Sequence, residues 1–153
     1  MSEEDIDRKI AVIFATDVVG YSKHMEANES GTVKNLRSCE TLLTELFEKH
    51  SGRLFNSVGD SFLAEFPSAV SAVKCAVEFQ NIVKARNSSD ATTVKLQFRI
   101  GINSGDVIKE KDNLLGDGVN IAARLEALAQ PGGIALSKVV YDYVKGKTEY
   151  EFN

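Results

Sequence analysis

The chain has 153 residues, of which 43% are hydrophobic and 26% are charged, and its formal net charge is −4. This length and composition predict a single globular domain over residues 1–153, and the acidic balance excludes duplex nucleic acid as a partner. The sequence shows no leader peptide and no apolar run of about 18 residues, so we expect no direct membrane contact from this domain. Its two cysteines lack metal-ligand spacing and fit the reducing cytoplasm.

The first elements along the chain are a predicted strand and a predicted helix. Arg8–Thr16 is short, largely apolar and rich in Val and Ile, which is typical of a buried strand. Residues 29–50 carry apolar side chains at helical spacing and end in a basic turn. Gly52 follows this turn, so the pattern predicts a helix that stops at that glycine.

A hairpin and a second long helix come next. Two strand-like runs, Arg53–Val58 and Ser61–Phe66, are separated only by Gly59-Asp60. A two-residue loop with Gly first favours a type II′ turn. A helix then opens at Pro67-Ser68, with valines near helical spacing, and we expect a polar loop at Asn87–Ala91.

The second half alternates strands and helices. Val94–Asn103 reads as a strand with Asp106–Glu110 as its hairpin partner, and Asp117 is the expected N-cap of a helix over Gly118–Ala129. The remaining elements are a strand, a helix and a last strand, at Ile134–Leu136, Ser137–Lys145 and Glu149–Phe152. This order predicts an α/β (α+β) sandwich with a mixed, mainly antiparallel sheet.

Two aspartates stand where strands end. Asp17 follows the first predicted strand and Asp60 lies in the hairpin tip, so each carboxylate is presented at an end of the sheet. Paired carboxylates suit Mg²⁺ or Mn²⁺, which complete their coordination with water and phosphate oxygens. Free N–H groups at the helix start in Val18–Ser22 would attract phosphate. The alternatives are a helix N-cap for Asp17 and a turn former for Asp60.

A second candidate group lies on the helix after Asp117. Asn120 and Arg124 are four residues apart and share one helical face. We expect Ile121, Leu125 and Leu128 to form the apolar stripe of this helix, with the amide and the guanidinium pointing away from it. The alternatives are a solvated polar face and an arginine that stabilises charge on a phosphoryl transition state.

Several motifs resemble one known family. In chain order they are IFATDVVGYS, GRLFNSVGDSFLAEFPSA, FRIGINSGDVI and LLGDGVNIAARLEALAQPGG. Together they resemble the catalytic domain of class III nucleotidyl cyclases over about residues 8 to 152. The resemblance implies a ferredoxin-like sandwich that forms a head-to-tail homodimer with active sites shared between subunits. It also implies conversion of a nucleoside triphosphate to a 3′,5′-cyclic nucleotide and pyrophosphate, with two Mg²⁺ or Mn²⁺ ions per site.

The resemblance also assigns residues. Asp17 and Asp60 match the two metal-binding aspartates. The segment whose amides hold the triphosphate matches Val18, Val19, Gly20, Tyr21 and Ser22. Three further positions match an arginine near the phosphates, the asparagine that orients the ribose and the arginine that stabilises the transition state: Arg99, Asn120 and Arg124. The last two are supplied by the opposite subunit in the family.

The sequence departs from the family pattern at the base-reading positions. Asn56 and Asn113 stand where adenylate cyclases commonly have a lysine and an aspartate, and Asp112 is an alternative reader. An amide both donates and accepts, so ATP, GTP and a pyrimidine triphosphate all remain candidates, with ATP first. The family usually continues beyond residue 152, so we expect a domain truncated at its C-terminal end. The alternatives to an active cyclase are a nucleotide-binding module with weak or no catalysis and a purely structural dimerisation domain.

Overall fold

The structure, a computed structural model, describes residues 6–89 and 94–153 of the chain. Within these residues the elements follow in the order β1 (Asp7–Val18), α1 (Tyr21–Ala27), α2 (Glu29–Lys49), β2 (Arg53–Val58), β3 (Ser61–Phe66), α3 (Ala69–Asn87), β4 (Phe98–Glu110), β5 (Asn113–Leu115), α4 (Asp117–Leu128), β6 (Ile134–Leu136) and α5 (Lys138–Val144). None of the described helices is long and apolar enough to cross a lipid bilayer.

The strands form one mixed sheet in the order β2, β3, β1, β4 and β5, and β6 pairs with the N-terminal half of β4. The pairing of β6 with β4 is parallel, and the other strand pairs are antiparallel. β1 lies in the middle of this order with six consecutive buried residues, as expected for a strand covered on both faces. The sandwich with a mainly antiparallel sheet is therefore confirmed.

Helices cover both faces of the sheet. The larger core lies beneath α2, α3 and α5 and includes five fully buried phenylalanines: Phe14, Phe47, Phe62, Phe79 and Phe98. The smaller core lies beneath α4 and consists of Ala11, Ile13, Ala15, Val107, Leu114, Val119 and Ala122. Alternate residues of β1 enter the two cores, because successive side chains of a strand point to opposite faces.

The predicted first hairpin is confirmed. β2 and β3 pair up to Val58 and Ser61, with Gly59 and Asp60 as the loop. Gly59 has a φ of 60°, while Asp60 is not among the residues with positive φ, as a type II′ turn requires.

The predicted second hairpin, Val94–Asn103 with Asp106–Glu110, is wrong. A single strand, β4, runs through Phe98–Glu110 and pairs along its length with β1, and the hairpin partner of β4 is β5. Ser104 and Gly105, where the turn of that hairpin would fall, lie inside β4 opposite Val12 and Ala11 of β1. Pairing with a strand distant in the chain keeps this segment extended, so no turn forms there.

The end of α2 differs by one residue from the prediction. The left-handed residue is Ser51, with a φ of 64°, and not Gly52. The N–H of Ser51 donates to the carbonyl of Glu48 at 3.2 Å and that of Gly52 to the carbonyl of Phe47 at 2.6 Å, which is the Schellman pattern. Gly52 has a packing role, since a Cβ there would lie 2.6 Å from the ring of Phe66.

Two predictions on the connecting segments also change. Asp117 is the first residue of α4 and not its N-cap; the cap is Gly116, which has a φ of 105° and provides no side chain. The predicted polar loop Asn87–Ala91 overlaps the end of α3, which includes Asn87, and its last two residues lie outside the described part of the chain.

The last predicted strand, Glu149–Phe152, is wrong. The segment has no strand pairing in the structure, but Tyr150 and Phe152 pack against the larger core. The ring of Phe152 meets that of Tyr141 in α5 edge to face, with centroids 5.4 Å apart. The alternation of apolar and polar residues in this segment therefore reflects the burial of Tyr150 and Phe152, and it does not indicate a hydrogen-bonded strand.

Candidate active site

Asp17 is bound by an arginine from the neighbouring strand. It lies within β1, one residue from the end, directly opposite Arg99 of β4. Directly opposed residues of antiparallel strands share a face, so the two side chains meet. Arg99 Nη2 lies 3.2 Å from Asp17 Oδ2, and Arg99 Nε donates to Oδ1 at 3.3 Å. These hydrogen bonds raise the pKa of the Arg99 guanidinium further above its usual value.

Asp60 reaches the same end of the sheet from the hairpin. Its Oδ2 accepts a hydrogen bond from the N–H of Val18 at 3.1 Å, next to Asp17 in the chain. The N-cap alternative for Asp17 is wrong, because the cap of α1 is Gly20. Asp60 does occupy the turn, but its carboxylate reaches across to β1. The structure therefore places the Asp60 carboxylate next to the end of β1 that carries Asp17.

Two of the five amides predicted to bind phosphate are already hydrogen-bonded within the protein. The N–H of Val18 donates to Asp60, and that of Val19 donates to the carbonyl of Gln97 at 2.8 Å. These two bonds fix the chain where β1 ends. They also remove Val18 and Val19 from the set of free donors.

The other three predicted amides are those of Gly20, Tyr21 and Ser22. Gly20 caps α1 with a φ of 63° and no side-chain hydrogen bond. The first hydrogen bond of the helix runs from the N–H of His24 to the carbonyl of Gly20, at 3.1 Å. The earlier N–H groups of a helix have no partner within it, so these three are the donors available to an anion.

Glu126 is also part of this site, although no sequence motif pointed to it. It is only 7% exposed, and its Oε2 lies 3.8 Å from Arg99 Nη2. Arg99 Nη1 also donates to the carbonyl of Ala127 at 3.1 Å, so the guanidinium bridges β1 and the end of α4. Burial, together with the nearby charge of Asp17, raises the pKa of the Glu126 carboxyl to about 7.

Glu126 was missed because the prediction buried the wrong face of α4. The predicted apolar stripe is wrong, because Ile121 is 39% and Leu128 is 78% exposed. The buried residues of α4 are instead Gly118, Val119, Ala122 and Glu126. Gly118, Ala122 and Glu126 are spaced four residues apart and lie on one face of the helix. The two small residues were the sequence signal that this face, which carries the Glu126 carboxylate, is buried.

Asn120 and Arg124 lie away from the aspartates. Both side chains are on the exposed part of α4. In the described part of the chain, no hydrogen bond or ion pair joins either of them to Asp17, Asp60 or Arg99. Within one subunit, therefore, the structure does not assemble all the predicted site residues.

Asn56 and Asn113 lie in β2 and β5, the first and last strands in the sheet order. The segments that carry them approach each other, because Arg53 Nη1 donates to the carbonyl of Asp112 at 2.8 Å. The amide Oδ1 of Asn113 is buried, and no group among the described residues donates a hydrogen bond to it. A buried acceptor without a donor is a candidate contact for a ligand.

The donor chemistry of the aspartates fits a divalent cation bound together with phosphate. Within residues 6–89 and 94–153, no group of three or more His, Cys, Asp and Glu side chains is arranged to hold a metal. Mg²⁺ commonly uses only one or two carboxylates and completes its coordination with water and phosphate oxygens. Asp17 and Asp60 meet that requirement, although Asp17 is paired with Arg99 in this structure.

Comparison with known proteins identifies the family. The chain matches the adenylate and guanylate cyclase catalytic domain over residues 3–153, and it therefore belongs to that family. Family membership confirms the resemblance inferred from the motifs and supports a nucleotidyl cyclase function for the domain.

The curated relatives are longer proteins. The chain is 44% identical over 153 residues to putative adenylate cyclase 3 of Rhizobium meliloti, covering 99% of this chain and 26% of that protein. It is 32% identical over 130 residues to an adenylate cyclase of Streptomyces coelicolor, covering 83% of this chain and 32% of the relative. The chain thus spans about a quarter to a third of the length of these relatives.

Solved structures confirm the fold. An adenylate/guanylate cyclase/hydrolase from Silicibacter pomeroyi superposes with a TM-score of 0.89 at 33% identity, over 97% of this chain and 87% of that one. The adenylyl cyclase CyaB from P. aeruginosa gives a TM-score of 0.83 at 26% identity, over 93% and 83% of the two chains. The described elements therefore form a class III cyclase fold.

Proposed function

We propose that this domain converts a nucleoside triphosphate, with ATP the first candidate, to a 3′,5′-cyclic nucleotide and pyrophosphate. The observation that carries the proposal is the convergence of Asp17 and Asp60 beside the free amides at the start of α1. Acidic oxygens for cations next to N–H groups for phosphate match the chemistry of a triphosphate with its metal ions. The substrate and the two buried, unpaired thiols fit the cytoplasm.

In the proposed reaction the ribose 3′-hydroxyl gives its proton to water and its oxygen attacks the α-phosphorus, the bond from that phosphorus to the bridging oxygen breaks, and pyrophosphate leaves. Asp17 and Asp60 would hold two Mg²⁺ or Mn²⁺ ions, which when bound lower the pKa of the attacking hydroxyl and neutralise phosphate charge. The amides of Gly20, Tyr21 and Ser22 would orient the β- and γ-phosphates. No nucleophilic side chain is required.

The proposed active enzyme is a head-to-tail homodimer. Asn120 and Arg124 are exposed on α4 and lack contacts with Asp17 and Asp60 in their own subunit. On the same helix, Ile121 and Leu128 are exposed apolar side chains, which would be covered by a partner subunit. In the dimer Asn120 would orient the ribose, and Arg124 would stabilise the negative charge of the transition state.

The base is proposed to lie against Asn56 and Asn113. The unpartnered Oδ1 of Asn113 would accept a hydrogen bond from the base. The exocyclic amines of adenine, guanine and cytosine and the N3–H of uracil all supply such a donor, and an asparagine can present either an acceptor or a donor. All four triphosphates are therefore candidate substrates.

The experiment that tests the proposal supplies ATP, GTP, CTP and UTP separately with Mn²⁺ and detects cyclic nucleotides by mass spectrometry. Asp60→Asn is the matched control, because it keeps the shape of the side chain and removes its charge. A cyclic product that is lost in Asp60→Asn supports the cyclase. Nucleotide binding without product, in protein shown to be dimeric, would favour the alternative of a nucleotide-binding module, which the pairing of Asp17 with Arg99 also suits.

A single substitution tests the role of Arg124. Because its guanidinium would act on charge that develops only in the transition state, we expect Arg124→Ala to reduce turnover about 100-fold or more, with little change in stability. Lys23→Ala, on the exposed part of α1, is the control for general loss of positive charge. Turnover that survives the loss of Arg124 would rule out this assignment.

A further inference from the structure

Arg99 is hydrogen-bonded to the carboxylate of Asp17, which is a metal ligand in the proposed function. Its guanidinium makes two side-chain contacts with acids: the hydrogen bonds to Asp17 at 3.2 to 3.3 Å, and a longer approach to Glu126 at 3.8 Å. A cation that binds Asp17 needs the same oxygen lone pairs, so Arg99 and the metal compete. The guanidinium has to be received elsewhere when the metal binds.

Glu126 is placed to receive it. Its side chain is buried, and its Oε2 lies 3.8 Å from Arg99 Nη2, the same nitrogen that donates to Asp17. The carbonyl of Ala127, which accepts from Arg99 Nη1 at 3.1 Å, holds the guanidinium at the end of α4. A small shift of the guanidinium would shorten the 3.8 Å distance to Glu126 to that of a charge-assisted hydrogen bond. The guanidinium would then keep a carboxylate partner after it leaves Asp17.

We infer that Glu126 is a positioning residue that receives the Arg99 guanidinium when a divalent cation binds Asp17. The inference rests on the proposed function, because it takes Asp17 as a metal ligand. It adds a residue with no role in the family assignment above. In this scheme Arg99 offsets the repulsion between the carboxylates of Asp17 and Asp60 in the metal-free protein. When the ion binds, Glu126 accepts the guanidinium, so that Asp17 can bind the metal.

Manganese affinity in the absence of nucleotide tests the inference. Free Mn²⁺ is measured by electron paramagnetic resonance in wild type, Glu126→Gln, Arg99→Gln and the double variant. Glu126→Gln is expected to weaken Mn²⁺ binding about tenfold, the scale of one lost charge-assisted hydrogen bond. In the Arg99→Gln background the same change is expected to have no effect, because no guanidinium has to be received. Circular dichroism and thermal unfolding verify that each variant folds.

The double-variant comparison separates positioning from simple charge. If Glu126 acts only as a negative charge near the metal, its removal weakens binding equally in both backgrounds, and the inference is overturned. Asp17→Asn and Asp60→Asn are tested alongside. If these two changes leave Mn²⁺ binding intact, or if wild type binds no Mn²⁺, then the proposed metal site fails, which is a different result from additivity at Glu126.

A second measurement follows the Arg99 side chain directly in the wild-type protein. Mg²⁺ is added to ¹⁵N-labelled protein, and the side-chain Nε–H signal of Arg99, assigned by its loss in Arg99→Lys, is followed by nuclear magnetic resonance. The expected result is a shifted and still sharp signal, since the guanidinium exchanges one carboxylate partner for another. An Arg99 signal that does not move as Mg²⁺ binds would contradict the transfer to Glu126.

Discussion

Glu65 of β3 holds two cations from neighbouring strands. Its Oε1 accepts hydrogen bonds from Arg53 of β2, with Nη2 at 2.7 Å, and its Oε2 accepts one from Lys9 of β1 at 3.0 Å. Partial burial opposes ionisation of the carboxyl, but the hydrogen bonds from Arg53 and Lys9 outweigh it, and the pKa of Glu65 is lowered. The three strands at this edge of the sheet are therefore tied together by one ionised carboxylate.

The lowered pKa gives stability a definite dependence on pH. The contribution of Glu65 is present above the carboxyl's unfolded pKa of about 4.3, and it is lost as the pH falls through the lower folded pKa. We expect Glu65→Gln to reduce the free energy of unfolding by about 1 kcal/mol at pH 7. The difference from wild type should shrink below about pH 4 in urea titrations.

Glu40→Gln is the matched control for this prediction. Glu40 pairs with a single arginine, Arg37, whose side chain is 68% exposed, and such surface pairs contribute little. An equal loss of stability in the Glu40 and Glu65 variants, or a difference at Glu65 that does not change with pH, would contradict the prediction.

Helix α4 packs against β4 through glycine. A Cβ at Gly101 would lie 2.3 Å from the backbone nitrogen of Glu126 and 2.4 Å from the carbonyl oxygen of Ala122. Both contacts are with backbone atoms, so no side chain can turn away to relieve them. The absence of a side chain at this position thus allows α4 to bring Glu126 up to Arg99.

This close approach predicts a large effect of one methyl group. Gly101→Ala should push α4 from the sheet and reduce the free energy of unfolding by about 3 kcal/mol, at the upper end of the usual range for overpacking. Gly105→Ala in the same strand is the control, since the nearest atom to its Cβ would be 3.3 Å away, at the end of the Asn103 side chain. Equal destabilisation of the two variants in chemical denaturation would show that the contact with α4 is not the cause.

The position of Arg124 relative to Asp17 leads to a prediction for the whole molecule. If each active site takes Asp17 from one subunit and Arg124 from the other, then Asp17→Ala and Arg124→Ala proteins are each inactive, but their heterodimer has one intact site. Random exchange of subunits makes half of the dimers mixed, so the equimolar mixture should recover about a quarter of wild-type activity. Activity is assayed after subunit exchange, with mixed dimers verified by native mass spectrometry.

The control for subunit exchange is a mixture of Asp17→Ala with Asp60→Ala, because one subunit supplies both aspartates to the same site. Each of the two sites in that mixed dimer lacks one aspartate, so no activity should be recovered. Mixed dimers of Asp17→Ala and Arg124→Ala that stay inactive would contradict a shared site.

Particular residues show how far sequence reasoning reached. The hairpin tip at Gly59 and Asp60 was predictable, because a two-residue turn depends on its own backbone. The placement of Asp17 and Asp60 at one sheet end was also predictable from the strand ends. By contrast, the continuity of β4 through Ser104 and Gly105 was not predicted, because it depends on pairing with β1, which is distant in the chain. The assignment of a single domain truncated at its C-terminal end stays a prediction.

The order of most elements, the mainly antiparallel sandwich and the family of the domain were predictable, because they depend on local periodicity, turn chemistry and motif order. The buried face of α4, the continuity of β4 and the contacts of Arg99 with both Asp17 and Glu126 were not predictable. They depend on segments that are far apart along the chain. Arg99 is 82 residues from Asp17, so their contact depends on the register of β1 with β4, and no local pattern encodes it.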